Sequence, residues 1–219
     1  IRDRLLSRGL GDVYKRHESG RRHPRRRAKP AGEVYRRFDT GIQAWVSLRT
    51  LDIEEDLHRF MRWQNSERVA AFWEQSGTLE EHRAYLESQA KESRVLNLIG
   101  CIDDEPFAYF EAYWAKEDRI APYCAAQDFD RGIHMLVGED HHRGPHKVKA
   151  WLNALCHYLF LDDCRTTRIV SEPRSDNDRM IQHLQARRFA KPKEFDFPHK
   201  RAALMVLHRD AFFERCELS

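Results

Sequence analysis

The sequence predicts one α/β domain, a mixed and mostly antiparallel sheet with helices on both faces. Three observations carry this. The apolar runs 95–102 and 107–114 flank Asp103-Asp104-Glu105-Pro106, whose acids and proline suit a hairpin turn. A strand-like run at 132–137, a long amphipathic stretch at 146–161 and a second strand at 167–171 form a strand-helix-strand crossover. The chain then repeats the hairpin theme, with strands at 195–198 and 202–207 around His199-Lys200-Arg201.

Taken in order, residues 1–37 carry thirteen Lys or Arg against four acids, leaving twenty-five against thirty-one in residues 38–219. In the run Arg21-Arg22-His23-Pro24-Arg25-Arg26-Arg27-Ala28-Lys29-Pro30, like charges repel and prolines interrupt a helix, so 1–37 reads as a basic, extended arm and 38–219 as the domain. The arm is either a solvated linker or an anion-binding element. No aromatic interleaving or nucleic-acid fold signature accompanies it, so nucleic acid is not the expected partner. Ala44, Val46 and Leu48 alternate with polar neighbours as a half-buried strand does. Helical spacing through Leu57, Phe60 and Met61 gives a first helix, Ser66 starts a second, and Thr78 with Glu81 forms a capping box for a third. A helix at 178–186 precedes the closing hairpin, and 209–216 ends the chain as a helix.

The five cysteines, Cys101, Cys124, Cys156, Cys164 and Cys216, are odd in number and lack a C-x-x-C pair, which favours reduced thiols in a cytoplasmic protein. No apolar run approaches the ~20 residues of a membrane span, and no signal-peptide core opens the chain, so a membrane is not expected as a partner. A chain opening at Ile1 leaves room for an upstream segment.

The loop Gly138-Glu139-Asp140-His141-His142-Arg143-Gly144-Pro145-His146-Lys147 joins a strand to a helix. Free N–H groups at the helix start, close approach at Gly144 and the charges of Arg143 and Lys147 suit a pyrophosphate, although an ordinary turn would look the same. His142 and His146 with Asp140 have metal-like spacing, but Pro145 sets the turn between them and no further ligand follows, so no metal is expected. His134 sits on the strand face opposite Ile133 and Met135. Asp176 and Asn177 end the neighbouring strand, where open sheets place ligands, and a histidine with a carboxylate there could share proton transfer. Asp176 reads equally as a helix N-cap. The absence of G-x-S-x-G gives an acyl-enzyme no support.

The chain resembles the hydroxamate siderophore acyltransferases of the GNAT superfamily, with their aerobactin, alcaligin, rhizobactin and desferrioxamine branches. The match is carried by Gly32-Glu33-Val34-Tyr35-Arg36-Arg37, Phe72-Trp73-Glu74-Gln75-Ser76-Gly77, Asp130-Arg131-Gly132-Ile133-His134-Met135-Leu136-Val137-Gly138-Glu139, His157-Tyr158-Leu159-Phe160-Leu161-Asp162, Glu172-Pro173-Arg174-Ser175-Asp176-Asn177 and Glu194-Phe195-Asp196-Phe197-Pro198-His199-Lys200-Arg201. The resemblance implies a GNAT fold taking acetyl-CoA or succinyl-CoA as co-substrate, with an N-hydroxyamine such as N6-hydroxylysine or an N-hydroxydiamine as acceptor. It implies His134 and Asp176 as the catalytic pair, with His134 accepting the proton and Glu172 a rival to Asp176. Met135, Leu136, Val137, Gly138, Arg143, Gly144, Lys147 and Asn177 would contact the cofactor, and Glu172, His199 and Lys200 the acceptor. His141 and His146 stand where the general GNAT pyrophosphate signature has Q/R and G/A. Two alternatives stay open, a GNAT acting on ordinary lysine or polyamine amines and a non-catalytic CoA-fold protein binding an anionic partner through the arm. Oligomeric state, a homodimer included, is also open.

Overall fold

The computed structural model describes residues 14–16, 22–24, 26–214 and 218. Strands β1 (Tyr14–Arg16) and β2 (Arg22–Pro24) form a separate antiparallel ribbon. The main sheet comprises β3 (Glu33–Asp39), β4 (Ala44–Thr50), β5 (Val95–Ile102), β6 (Glu105–Trp114), β7 (Arg131–Val137), β8 (Arg168–Ser171), β9 (Ala190–Asp196) and β10 (Arg201–His208), in the order β3-β4-β5-β6-β7-β8-β10-β9. Every neighbouring pair is antiparallel except β7 with β8.

Helices α1 (Ile53–Gln64), α2 (Glu67–Trp73) and α3 (Leu79–Lys91) follow β4, and the Thr78–Glu81 capping box is formed at the start of α3. Leu57, Phe60, Trp63 and Leu86 from these helices pack on Ile99, Tyr109 and Leu136 of the sheet. A short α4 (Ala121–Cys124) lies between β6 and β7. Helix α5 (Pro145–Asp162), the crossover between the parallel strands, buries Trp151, Leu155 and Leu159 in the largest cluster, together with Phe110, Ile133 and Met205. Helices α6 (Asp178–Gln185) and α7 (Arg209–Glu214) add Ile181, Leu184 and Phe212 to that cluster. No helix among the described residues is long and apolar enough to cross a membrane.

One departure from regular pairing shapes the molecule. Strand β7 pairs with β6 along its whole length, from Arg131↔Trp114 to Val137↔Ala108. It pairs with β8 only at Arg131↔Ile169 and Gly132↔Val170. From His134 onward that edge of β7 has no strand partner among the described residues, and the sheet opens there.

The expected boundary of the arm moves. Glu33 to Arg37 belong to β3, the first strand of the sheet, whose mixed charge is compatible with an edge position. Arg26 is no solvated linker residue: its guanidinium pairs with Glu117, donates to the Asp128 carbonyl at 3.1 Å and lies 4.0 Å from the centre of the Trp114 ring. Lys29 donates to the carbonyls of Gln89 and Ala90 at the end of α3. The arm residues 1–13, 17–21 and 25, with the expected helix residues 215–216, lie outside the described residues. Strand β9 begins at Ala190, earlier than the expected 195.

Candidate active site

The site is built on two cross-strand neighbours, Glu111 of β6 and His134 of β7, which face each other in register. His134 Nδ1 lies 2.8 Å from Glu111 Oε2, and its Nε2 lies 2.6 Å from Glu172 Oε1, just beyond the end of β8. Each carboxylate has further donors. Glu111 accepts from the Tyr85 and Tyr109 hydroxyls, and Glu172 accepts from Tyr113 at 2.7 Å. Gly132, opposite Tyr113, makes this possible, because a Cβ there would sit 1.9 Å from the tyrosine ring. The ring of Tyr113 thereby comes within 4.8 Å of His134, centre to centre.

This geometry sets the protonation. Burial opposes a charged imidazole, but the Glu172 charge and the hydrogen bonds to both carboxylates outweigh it and raise His134 to about 10. Burial would likewise raise Glu172, yet the charge and hydrogen bond of His134 hold it down at about 2. Glu111 is also lowered, with burial again opposed by His134. At neutral pH the cluster is an imidazolium between two carboxylates and carries one net negative charge.

The expectation that His134 accepts a proton meets an imidazole whose two carboxylate partners favour its protonated form. The expected partner is corrected. Asp176 turns outward to Arg174, with Arg174 Nη2 2.7 Å from Asp176 Oδ2, and its side chain is 62% exposed. Nor does Asp176 cap α6: Asn177 does, its Oδ1 accepting from the Met180 N–H at 3.2 Å. Glu111 escaped the sequence reading because it lies inside an apolar strand. An acid at such a position is itself a signal, since a carboxylate buried at 6% exposure requires partners.

Two cavities adjoin next to Met135, and the cluster lines one of them. The larger, about 440 Å³, is lined by Trp73, Tyr85, Glu111, Tyr113, His134 and Glu172, and extends to Arg119 and Lys200. The smaller, about 180 Å³, runs along the open edge of β7, past Met135, Leu136 and Val137, to Arg143 and Gly144 at the start of α5. Asn177, Met180, Phe72 and Trp73 border both. Arg68 and Arg179, which the sequence reading did not single out, join Arg143 around the smaller cavity.

Of the residues expected at the cofactor, Met135, Leu136, Val137, Arg143, Gly144 and Asn177 line that cavity, and Gly138 and Lys147 do not. Gly144 caps α5 at φ 126, a backbone conformation that favours glycine. Gly138 packs on Trp63, where a Cβ would meet the ring at 2.1 Å. Arg143 is held by Asp140 at 3.2 Å, and Arg68 pairs with the same carboxylate at 3.1 Å. Lys147 bends back on its own loop and donates to the His141 carbonyl at 2.8 Å. His141 and His142 hydrogen-bond the two oxygens of Glu105 through their Nε2 atoms, at 2.9 and 3.1 Å. That arrangement pins the loop to the β5–β6 hairpin, and the three side chains also have the spacing of a metal-ligand group. Of the residues expected at the acceptor, Glu172 and Lys200 line the larger cavity, with Lys200 Nζ donating to the Glu172 carbonyl at 2.9 Å. His199 is exposed and stacks on Phe197.

Comparison with known proteins gives the arrangement a context. A model described as an acetyltransferase (GNAT) domain matches residues 52–197. The chain is 50% identical over 190 residues to an N(6)-hydroxylysine O-acetyltransferase of Escherichia coli, covering 87% of this chain and 60% of that protein. It is 44% identical over 200 residues to an N(5)-hydroxyornithine:cis-anhydromevalonyl coenzyme A-N(5)-transacylase of Beauveria bassiana, covering 90% of this chain and 44% of that protein. The chain thus spans about half the length of these relatives. Among solved structures, aminoglycoside acetyltransferase AAC(6')-Ib in complex with coenzyme A superposes with a TM-score of 0.71 at 26% identity, over 78% of this chain and 99% of that one.

Proposed function

The chain belongs to the GNAT acetyltransferase family, and from that premise we propose that it transfers an acyl group from a coenzyme A thioester to the hydroxylamine nitrogen of an N-hydroxylated lysine or diamine. The product is a hydroxamate of the kind that binds iron(III) in siderophores.

The observation that carries this reading is the geometry of the cluster, His134 held between Glu111 and Glu172, an arrangement that favours the protonated imidazole. A primary alkylammonium, with an ordinary pKa of about 10.4, must lose a proton before its nitrogen can attack. Neither group at the centre suits that task near neutrality: His134 is already protonated, and Glu172 at about 2 is a weak base. An N-hydroxyamine is much less basic than an alkylamine and arrives neutral, so the site has only to position it. The alternative of an ordinary lysine or polyamine acceptor loses support for the same reason.

In this reading the cluster works as one unit. As nitrogen bonds to the thioester carbon the carbon–sulfur bond breaks; the His134–Glu172 pair gives the proton on His134 Nε2 to the departing thiolate, and the proton that the nitrogen loses replaces it. Glu111 and its two tyrosines keep the imidazole oriented from the other side. Backbone N–H groups along 135–137, on the edge of β7 that lacks a strand partner, suit polarisation of the thioester carbonyl. The cofactor would run along that edge, with its pyrophosphate at the start of α5 beside Arg143. Acetyl-CoA is the favoured donor and succinyl-CoA the second.

The acceptor offers an oxygen nucleophile beside the nitrogen, and the name of the Escherichia coli relative specifies O-acetylation. Product chemistry separates the two outcomes. With N6-hydroxylysine and acetyl-CoA the protein should release free thiol and form a product that gives a coloured ferric complex. A product with no iron(III) chelation would move the acyl group to oxygen, and thiol release only with unhydroxylated lysine or a polyamine at alkaline pH would overturn the reading.

A further inference from the structure

The acid cluster fills one end of the larger cavity, and a different chemistry occupies the wall beside it. Arg119 follows β6 in the chain, and Lys200 lies in the turn before β10; both line the cavity. Their charges converge on a single ring. The Arg119 guanidinium lies 5.4 Å from the centre of Phe197, and the Lys200 ammonium lies 5.7 Å from the same centre. No carboxylate among the described residues forms an ion pair with either. Lys200 donates to the backbone carbonyl of Glu172, and Arg119 lies against the ring.

The other cations of this cavity wall differ. Arg94 is paired with Asp118 at 2.6 Å, and Arg174 with Asp176 at 2.7 Å. Two like charges gathered around one aromatic ring repel each other, and a shared counterion relieves that repulsion. Lys200 registers the strain: partial burial lowers its pKa, and the neighbouring Arg119 charge lowers it further, against the pull of Glu172.

We propose that Arg119 and Lys200, held over Phe197, form a substrate carboxylate site in the acceptor cavity. The inference rests on the acyl-transfer reading and sharpens it. The carboxylate that fits is the α-carboxylate of an N-hydroxylated amino acid, whose neutral hydroxylamine then reaches the His134 cluster. Asp118 and Glu117 also line the cavity, each already paired, with Arg94 and with Arg26. An N-hydroxydiamine would instead bring an ammonium towards two unneutralised cations. A dicarboxylic acyl group, as in succinyl-CoA, is the other source of the same chemistry.

The test measures kcat/KM for N6-hydroxylysine and for N-hydroxycadaverine, the same chain without the carboxylate, each with acetyl-CoA and with succinyl-CoA. It compares the native protein with Arg119→Gln and Lys200→Gln, after matching melting temperatures confirm the fold. The expected result is a native preference for N6-hydroxylysine that falls about ten- to a hundredfold in each variant, the range for losing a hydrogen bond to a charged group. If the preference for succinyl-CoA over acetyl-CoA falls and the acceptor preference stays, the carboxylate site stands and its ligand is the acyl group. If both preferences are unchanged while turnover continues, the carboxylate site is overturned and the acyl-transfer reading survives. Absence of turnover with every combination in the native protein would remove both.

Discussion

The His134 cluster and the loop from Gly138 to Lys147 stand one after the other in the chain, yet they hold their charges in opposite ways. In the cluster both carboxylates are buried, His134 is half-buried, and each is already partnered: Glu172 is shielded at both oxygens, and Glu111 sits between two tyrosines and an imidazole. In the loop, the exposed Asp140 and the partly exposed Arg143 neutralise each other loosely, while Lys147 and His141 satisfy the loop itself. The first arrangement fixes geometry before substrate arrives. The second leaves charges that can change partners when an anion arrives. Losses at the cluster should therefore appear in turnover and stability together, and losses at the loop in cofactor affinity alone.

The largest expected effect is at His134. Replacing it by alanine leaves Glu111 and Glu172 facing each other without the shared cation, and breaking a buried ion pair on one side costs about 3–5 kcal/mol. His134→Ala should also lower turnover by about a hundredfold or more, as loss of a proton-transfer group does. Glu172→Gln separates the two consequences. It preserves shape and one hydrogen bond, so turnover should fall by a similar factor with a smaller loss of stability. If they act on one proton path, the double variant should be little slower than the poorer single one. Denaturant titration beside thiol-release kinetics checks both, and near-normal turnover in Glu172→Gln would place the chemistry elsewhere.

The cluster also predicts a pH window. Glu172 is lowered from 4.5 to about 2 in the folded protein, so its contribution is full above 4.5 and is lost as pH falls towards 2. His134 is raised from 6.5 to about 10, so its contribution is full below 6.5 and is lost as pH rises towards 10. Native protein should therefore exceed Glu172→Gln in melting temperature most between 4.5 and 6.5. A difference that grows instead towards alkaline pH would mean a neutral imidazole, and would weaken the argument for a neutral acceptor.

How much of this was legible in the sequence depends on whether a residue's environment is local. The hairpin, the crossover helix and the capping box follow from patterns within a few turns of chain, and the structure has them. Strand β3 escaped because an edge strand tolerates the charges of Glu33, Arg36 and Arg37, which made it look like a continuation of the arm. The first half of strand β9 escaped in the same way, its Lys191-Pro192-Lys193-Glu194 being mostly exposed at the opposite edge. Arg26 reads as one more basic residue until the fold brings Glu117 and Trp114 to it. His134 was visible as a polar residue in an apolar strand. Its partners were not, because the choice between Glu172 and Asp176 turns on a few residues at the end of β8, and Glu111 reaches His134 only through sheet register.

On the loop side, Arg143→Ala should leave the fold and the turnover at saturating acyl-CoA unchanged and weaken coenzyme A binding by only about three- to tenfold. Arg143 is partly exposed, where screening limits the strength of a charge contact, and Arg68 and Arg179 line the same cavity and remain. Calorimetric titration with coenzyme A measures this. A hundredfold loss would mean that one arginine dominates and that the loop holds its charges as firmly as the cluster does.

The smallest effect is expected at Asp176, and it tests the comparison at its border. Asp176 lies four residues after Glu172, yet it shares the loop's character: its carboxylate is in solvent, and its partner is the surface guanidinium of Arg174. Exposed pairs of this kind contribute about 0–1 kcal/mol. Arg174 keeps a second carboxylate, Glu74 Oε1, at 3.7 Å, and the cap of α6 belongs to Asn177. Asp176→Asn should therefore change neither melting temperature nor turnover by more than a small factor, whereas Asn177→Ala should lose the cap and about 1 kcal/mol of stability. A hundredfold slower Asp176→Asn with a native melting temperature would show that the carboxylate swings inward when substrates bind. The border between the two regions would then lie on the far side of Asp176, and the proton path would extend from Glu172 into the loop before α6.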